Sequence, residues 1–185
     1  MKNQNCYIEF DIPLEKSYED LYSTFEHIKE AKNTGRPKED NFWLKTFPNY
    51  SLSTFYFSDD EPRPNFKTAE LDEVTWHFYS LTNLLQTDYD IEYIDCFKIS
   101  TGKGRLEYYP FGYPYGGVTG LIVFISSFGC KPTTIDDGTG VYSITFLENG
   151  DFSLTEINSS QKQDSAQQPF DAVELLKKFV NRLKK

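Results

Sequence analysis

The sequence predicts an α+β domain, with a sheet of five to seven strands, antiparallel or mixed, packed by three or four helices. Three observations point there. Stretches of apolar-polar alternation mark strands, stripes at three- and four-residue spacing mark helices, and the two kinds do not alternate regularly along the chain. At 185 residues the chain is long enough for one substantial core, and with 16 Phe and 13 Tyr that core is filled largely by rings.

Cys6 to Ile12 sets Tyr7, Glu9 and Asp11 against Ile8, Phe10 and Ile12, the pattern of a half-buried strand, and Pro13 ends it. A helix is expected from Ser17, its cap, to about Lys32. Tyr18, Leu21, Tyr22, Phe25 and Ile28 form its apolar stripe, and Gly35 supplies the stop. Phe42 to Phe57 is too aromatic for a free loop, and Ser51 to Phe57 reads as a strand. Ser58 to Asn65 is an acidic connector broken by prolines. A second helix is expected from Thr68, its cap, to about Gln86. It would turn Leu71, Val74, Phe78, Leu81 and Leu85 inward, with Glu70, Asp72 and Glu73 in its first turn.

Asp90 to Ile99 and Arg105 to Tyr109 form a hairpin around the turn at Thr101 to Gly104. A ring-rich loop, Tyr108 to Gly117, then leads into an apolar helix over about Val118 to Phe128, closed by Gly129. Cys130 to Asp136, Val141 to Phe146 and Asp151 to Ile157 make a three-strand meander whose last turn is Glu148-Asn-Gly150. The chain thus divides into a single domain at 1–157, a polar linker at 158–168 and an amphipathic helix at 169–185. Phe170, Val173, Leu176, Phe179, Val180 and Leu183 would dock that helix on the same domain.

Charge narrows the function classes. The net charge is -9, and residues 171–185 hold two acids and five bases, which leaves 26 acids against 14 bases in residues 1–170. The body is therefore near -12 and the tail near +3. Such a body repels phosphate backbones, so no nucleic-acid partner is expected, whereas a basic protein is steered inward. The longest apolar run, Val118 to Phe128, is interrupted by Thr119, Gly120, Ser126 and Ser127 and is too short to span a bilayer. Met1 to Ile12 has no apolar stretch of the export-signal kind. Cys6, Cys96 and Cys130 are odd in number and far apart, as expected of buried thiols in a cytoplasmic protein.

Catalytic and metal-binding patterns are sparse. Of the two histidines, His27 falls on the polar side of the first helix; His77 follows Glu73 by four residues, a spacing that gives a surface pair or half a relay. No further His or Cys stands at zinc-ligand spacing, and Asp136-Asp-Gly138 lacks the remaining ligands of a calcium hand and reads as a turn. No metal and no cofactor are expected. Gly112 to Gly120 matches neither common phosphate-binding pattern, yet glycines before a helix leave its first amides reachable, with Lys103 or Arg105 near in sequence. Tyr108, Tyr109, Phe111, Tyr113 and Tyr115 line that approach, and Pro110 and Pro114 stiffen it. The candidate ligand- or partner-binding residues are therefore Arg105, Tyr109, Phe111, Tyr113, Tyr115, Gly116 and Gly117.

The stretch Gly104-Arg-Leu-Glu-Tyr-Tyr-Pro-Phe-Gly-Tyr-Pro-Tyr-Gly-Gly117 resembles a pattern in small bacterial cytosolic proteins of uncharacterised role, in which a short strand runs into a Tyr-Pro-Phe/Tyr-Gly-Gly turn and an apolar helix; the likeness extends over Gly104 to Phe146. In size, acidity and poverty of motifs, the chain also resembles, by type, the immunity proteins that guard bacteria against toxins delivered between cells. That likeness implies a protein that binds and blocks a toxin domain. The expectation is thus a non-enzymatic protein-binding module with a basic partner. The alternative is an enzyme or small-anion binder working at the start of the helix near Val118, with Tyr113 or Tyr115, Arg105 and His77 contributing. A homo-oligomer that buries the loop between subunits is a third arrangement.

Overall fold

A computed structural model describes residues 5–58, 60, 76–113, 115–148 and 151–157. The class is α+β, built on a six-stranded sheet. Its strands are β1 (Cys6–Asp11), β4 (Ile91–Ser100), β5 (Lys103–Pro110), β6 (Lys131–Asp136), β7 (Val141–Phe146) and β8 (Phe152–Glu156). They lie in the order β4-β5-β1-β6-β7-β8, and every pairing is antiparallel. The expected hairpin and meander are both present. β1 sits inside the sheet because its alternation buries Cys6, Ile8 and Phe10 under the helices; Tyr7, Glu9 and Asp11 stay half-exposed on the opposite face.

Five helices complete the described fold: α1 (Glu15–Thr34), α2 (Asp40–Thr46), α3 (Asn49–Leu52), α4 (Phe78–Thr87) and α5 (Val118–Ser127). α1 buries Leu21, Phe25, Ile28 and Ala31 and stops where Gly35 takes a left-handed φ of 61°, its N–H donating to the Lys32 carbonyl. The helix begins earlier than the serine cap implied. Leu14 is the N-cap, without a side-chain bond, and Ser17 lies inside the helix, buried next to Gly129. Glu15 supplies the acidic charge of the first turn.

Two further expectations are corrected. Ser51 to Phe57 is not one strand: Asn49–Leu52 is α3, and only Phe55–Tyr56 is extended, as β2. The aromatic stretch before it packs as a helix, Trp43 and Phe47 standing one turn apart with both rings buried. Nor does the second helix include residues 76 and 77. Trp76–His77 form β3, parallel to β2, and His77 caps α4 by accepting the Ser80 N–H at its Nδ1. Thr68, Glu70, Leu71, Asp72, Glu73 and Val74 lie outside the described residues, as do the expected linker and C-terminal helix.

The core is a mesh of rings. Phe47 meets Phe78 at 5.1 Å and Phe128 at 5.2 Å between centroids, and Phe55 meets Phe78 at 5.5 Å. Each such pair contributes about 0.5–1.5 kcal/mol beyond the area it buries. No helix among the described residues is long and apolar enough to cross a membrane.

Candidate functional site

Antiparallel pairing brings one group of connections to a single rim of the sheet. The start of β1 pairs with the end of β5, as Cys6 with Tyr108, and with the end of β6, as Tyr7 with Asp136. The start of β4 pairs there too, as Ile91 with Pro110. The turn at 88–90, the loop at 111–117 and the turn at 137–140 therefore share that rim.

The first two are stitched together. The Phe111 N–H donates to the Asp90 carbonyl at 2.9 Å, and the Tyr115 hydroxyl donates to Asp88 Oδ2 at 2.7 Å. Asp88 Oδ1 also accepts the Asp90 N–H, closing an Asx turn. Behind this turn the Lys32 ammonium donates to the Asp88 carbonyl and stands 5.6 Å from the centre of the Tyr93 ring. Burial pulls the Lys32 pKa down, and the Asp88 and Asp90 carboxylates pull it back up.

The rings of the loop separate into two groups. Tyr108 is fully buried, its hydroxyl donating to the Asp136 carbonyl, and Tyr115 is buried against Gly117. A Cβ on Gly117 would come within 2.2 Å of the Tyr115 hydroxyl, so glycine here allows the ring to lie over the entrance of α5. Burial pushes both phenols well above their ordinary pKa. By contrast Phe111 is 63% exposed and Tyr113 50% exposed. Half-buried Tyr109 meets Phe111 edge to face at 5.8 Å, and Tyr113 lies across Gly138, where a Cβ would come within 2.0 Å of its ring. Asp137 holds the turn beneath by accepting the N–H groups of Thr139 and Gly140.

Between the stitched turns lies a depression of about 270 Å³ lined by Asp90, Phe111, Gly112, Tyr113, Tyr115 and Gly116. Neither a family model, nor a curated protein, nor a solved structure matches this chain. The site is therefore read from its own geometry.

Six of the seven sequence-derived candidates, Tyr109, Phe111, Tyr113, Tyr115, Gly116 and Gly117, come together on the rim. Arg105 does not. It lies about 17 Å along β5 from Pro110, at about 3.4 Å per residue. There it pairs with Glu9, stands 3.6 Å from Glu107, and sits 4.2 Å above the Tyr7 ring on the half-exposed face of the sheet. Lys103 pairs with Asp11 beside it. The residues that sequence reasoning missed are Asp88, Asp90, Lys32 and Tyr89, the last 89% exposed on the stitched turn. Asp88-Tyr-Asp90 carries a readable turn signal, but its contact with the loop depends on the pairing of β4 with β5.

Burial pushes the thiols of Cys6 and Cys130 up to about 12, with Asp136 and Asp137 adding to the effect at Cys6, and Cys96 rises as well. None of the three is prepared as a thiolate nucleophile. Among the described residues no group of three His, Cys, Asp or Glu side chains is placed to hold a metal.

Proposed function

We propose that the chain is a non-enzymatic protein-binding module, an inhibitor of the immunity type that binds and blocks a toxin domain, and that it docks a basic partner through this rim. One observation carries the reading: Tyr89, Phe111 and Tyr113 stand in solvent at 89, 63 and 50% exposure, on turns whose own bonds are satisfied by Tyr115, Asp88 and Asp90. Rings held out on a stitched scaffold lose little entropy on docking, and exposed Tyr and Phe are the side chains that anchor interfaces. Asp88, Asp90, Glu92, Asp136 and Asp137 lie along or beside the same rim, a charge that draws a basic surface in.

An anion pocket at the start of α5 is the weaker reading. The cations it would use, Lys103 and Arg105, are paired with Asp11 and Glu9, and the helix entrance carries the Tyr115 ring.

The test is co-expression with toxin domains encoded beside the gene, followed by calorimetry on the purified pair. Growth protection and a stoichiometric complex are expected, and Phe111→Ala with Tyr113→Ala should weaken that complex a hundredfold or more, about 2.7 kcal/mol. Protection that survives the double substitution at full strength would refute the docking surface.

A further inference from the structure

The depression beside Phe111 is shaped for less than a whole small molecule. At about 270 Å³ it falls just below the roughly 300–1,000 Å³ typical of ligand and cofactor pockets. Its lining pairs one carboxylate with three rings and two glycines. The Asp90 backbone is engaged on both sides, its N–H by Asp88 and its carbonyl by Phe111, but its exposed carboxylate makes no hydrogen bond or ion pair among the described residues. Lys32 is committed to the Asp88 carbonyl and to the face of the Tyr93 ring. Tyr115 has committed its hydroxyl to Asp88, so it offers the pocket ring surface instead of a donor. Gly112 and Gly116 leave the floor open, since a Cβ on either would meet nothing within 4 Å.

We infer that this depression receives one cationic side chain of the partner, an arginine in preference to a lysine, with its charge against the Asp90 carboxylate and its flat face on the rings of Phe111 and Tyr113. The inference rests on the docking reading above and names the group recognised there. A carboxylate flanked by aromatic faces is complementary to a delocalised, weakly hydrated guanidinium, which stacks as well as pairs. An anion would meet Asp90 and the negative faces of the rings, and a purely apolar side chain would leave Asp90 desolvated without a counter-charge.

The full chain, labelled with nitrogen-15, is titrated with acetyl-arginine amide and, separately, with acetyl-norleucine amide, which has similar length and no charge. Arginine should shift the amides of Asp90, Gly112, Gly116 and Tyr115 with millimolar affinity. Norleucine should leave them in place. Asp90→Asn, which removes the charge, and Gly116→Leu, whose Cβ would meet nothing within 4 Å and whose side chain takes up the space, should each weaken the arginine response about tenfold or more. Equal responses to the two amides, or an arginine response unchanged in both variants, overturns the inference. Because this titration needs no toxin domain, its failure is distinguishable from that of the docking reading. A toxin domain that binds Asp90→Asn and Gly116→Leu undiminished but not the Phe111/Tyr113 double variant would refute the arginine pocket and leave the docking surface standing.

Discussion

Tyr113 and Tyr115 are two positions apart, yet one ring lies half in solvent across Gly138 and the other is sealed against Gly117 and bonded to Asp88. Which tyrosine stays exposed and which holds the scaffold is decided by contacts with other segments, so residue type alone could not separate them. His77 is a similar case. Sequence spacing placed it within a helix, but its Nδ1 accepts the Ser80 N–H and starts α4. His77→Ala should cost about 1 kcal/mol in urea unfolding and His77→Asn much less, since asparagine is a good N-cap. A full loss in the asparagine variant would place the role of His77 elsewhere.

The thiols give a pH signature. Cys6 and Cys130 hold their protons up to about 12 in the folded chain, against an ordinary 9.0 when unfolded. Below 9.0 both states are protonated and the folded state keeps its full stability. Between 9.0 and about 12 the unfolded thiols ionise first, so stability falls as pH rises through that window. The raised phenols of Tyr93 and Tyr108 act in the same direction, while the lowered Lys32 opposes them. Cys6→Ala should flatten the decline measured by denaturation between pH 9 and 11; an unchanged slope would contradict the assignment.

Among the elements, β1, the β4–β5 hairpin, α1, α5 and the β6–β8 meander could be read from the sequence because each carries a local signal over several residues: a period, an apolar run or a turn at its end. The misread pieces are short or are defined by a partner. α3 has four residues, and β2 and β3 have two each, in a parallel pairing that no local pattern encodes. The stripe through Phe78, Leu81 and Leu85 gave no hint that the chain is extended at Trp76. The site was legible as a stiff, ring-bearing loop, but the acids opposite it were not, because they reach it only through the pairing of β4 with β5. The outer edge of β4 is closed by α1: Tyr18 donates to the Cys96 carbonyl and Lys29 to the Ile94 carbonyl. Removing both donors with Tyr18→Phe and Lys29→Ala should cost about 1–3 kcal/mol and leave the urea m-value unchanged. It should also favour self-association, since it frees a sheet edge. A double variant as stable as the parent and in the same association state would refute the clasp.

For the whole molecule, the sheet holds three turns at one rim, and among the described residues the helices bury only one of its faces. Rings protrude from that rim with acids beside them, while Lys103 and Arg105 on β5 are occupied by Asp11 and Glu9. On the proposed reading, the net charge of -9 would draw a basic partner in at long range and the exposed rings would anchor it at short range. Hydrogen exchange on a complex with a basic toxin domain, of the kind proposed as the partner, tests this most directly. New protection confined to residues 88–92 and 109–117 is expected; protection on the half-exposed face around Tyr7 and Arg105, with the rim amides unchanged, would contradict it.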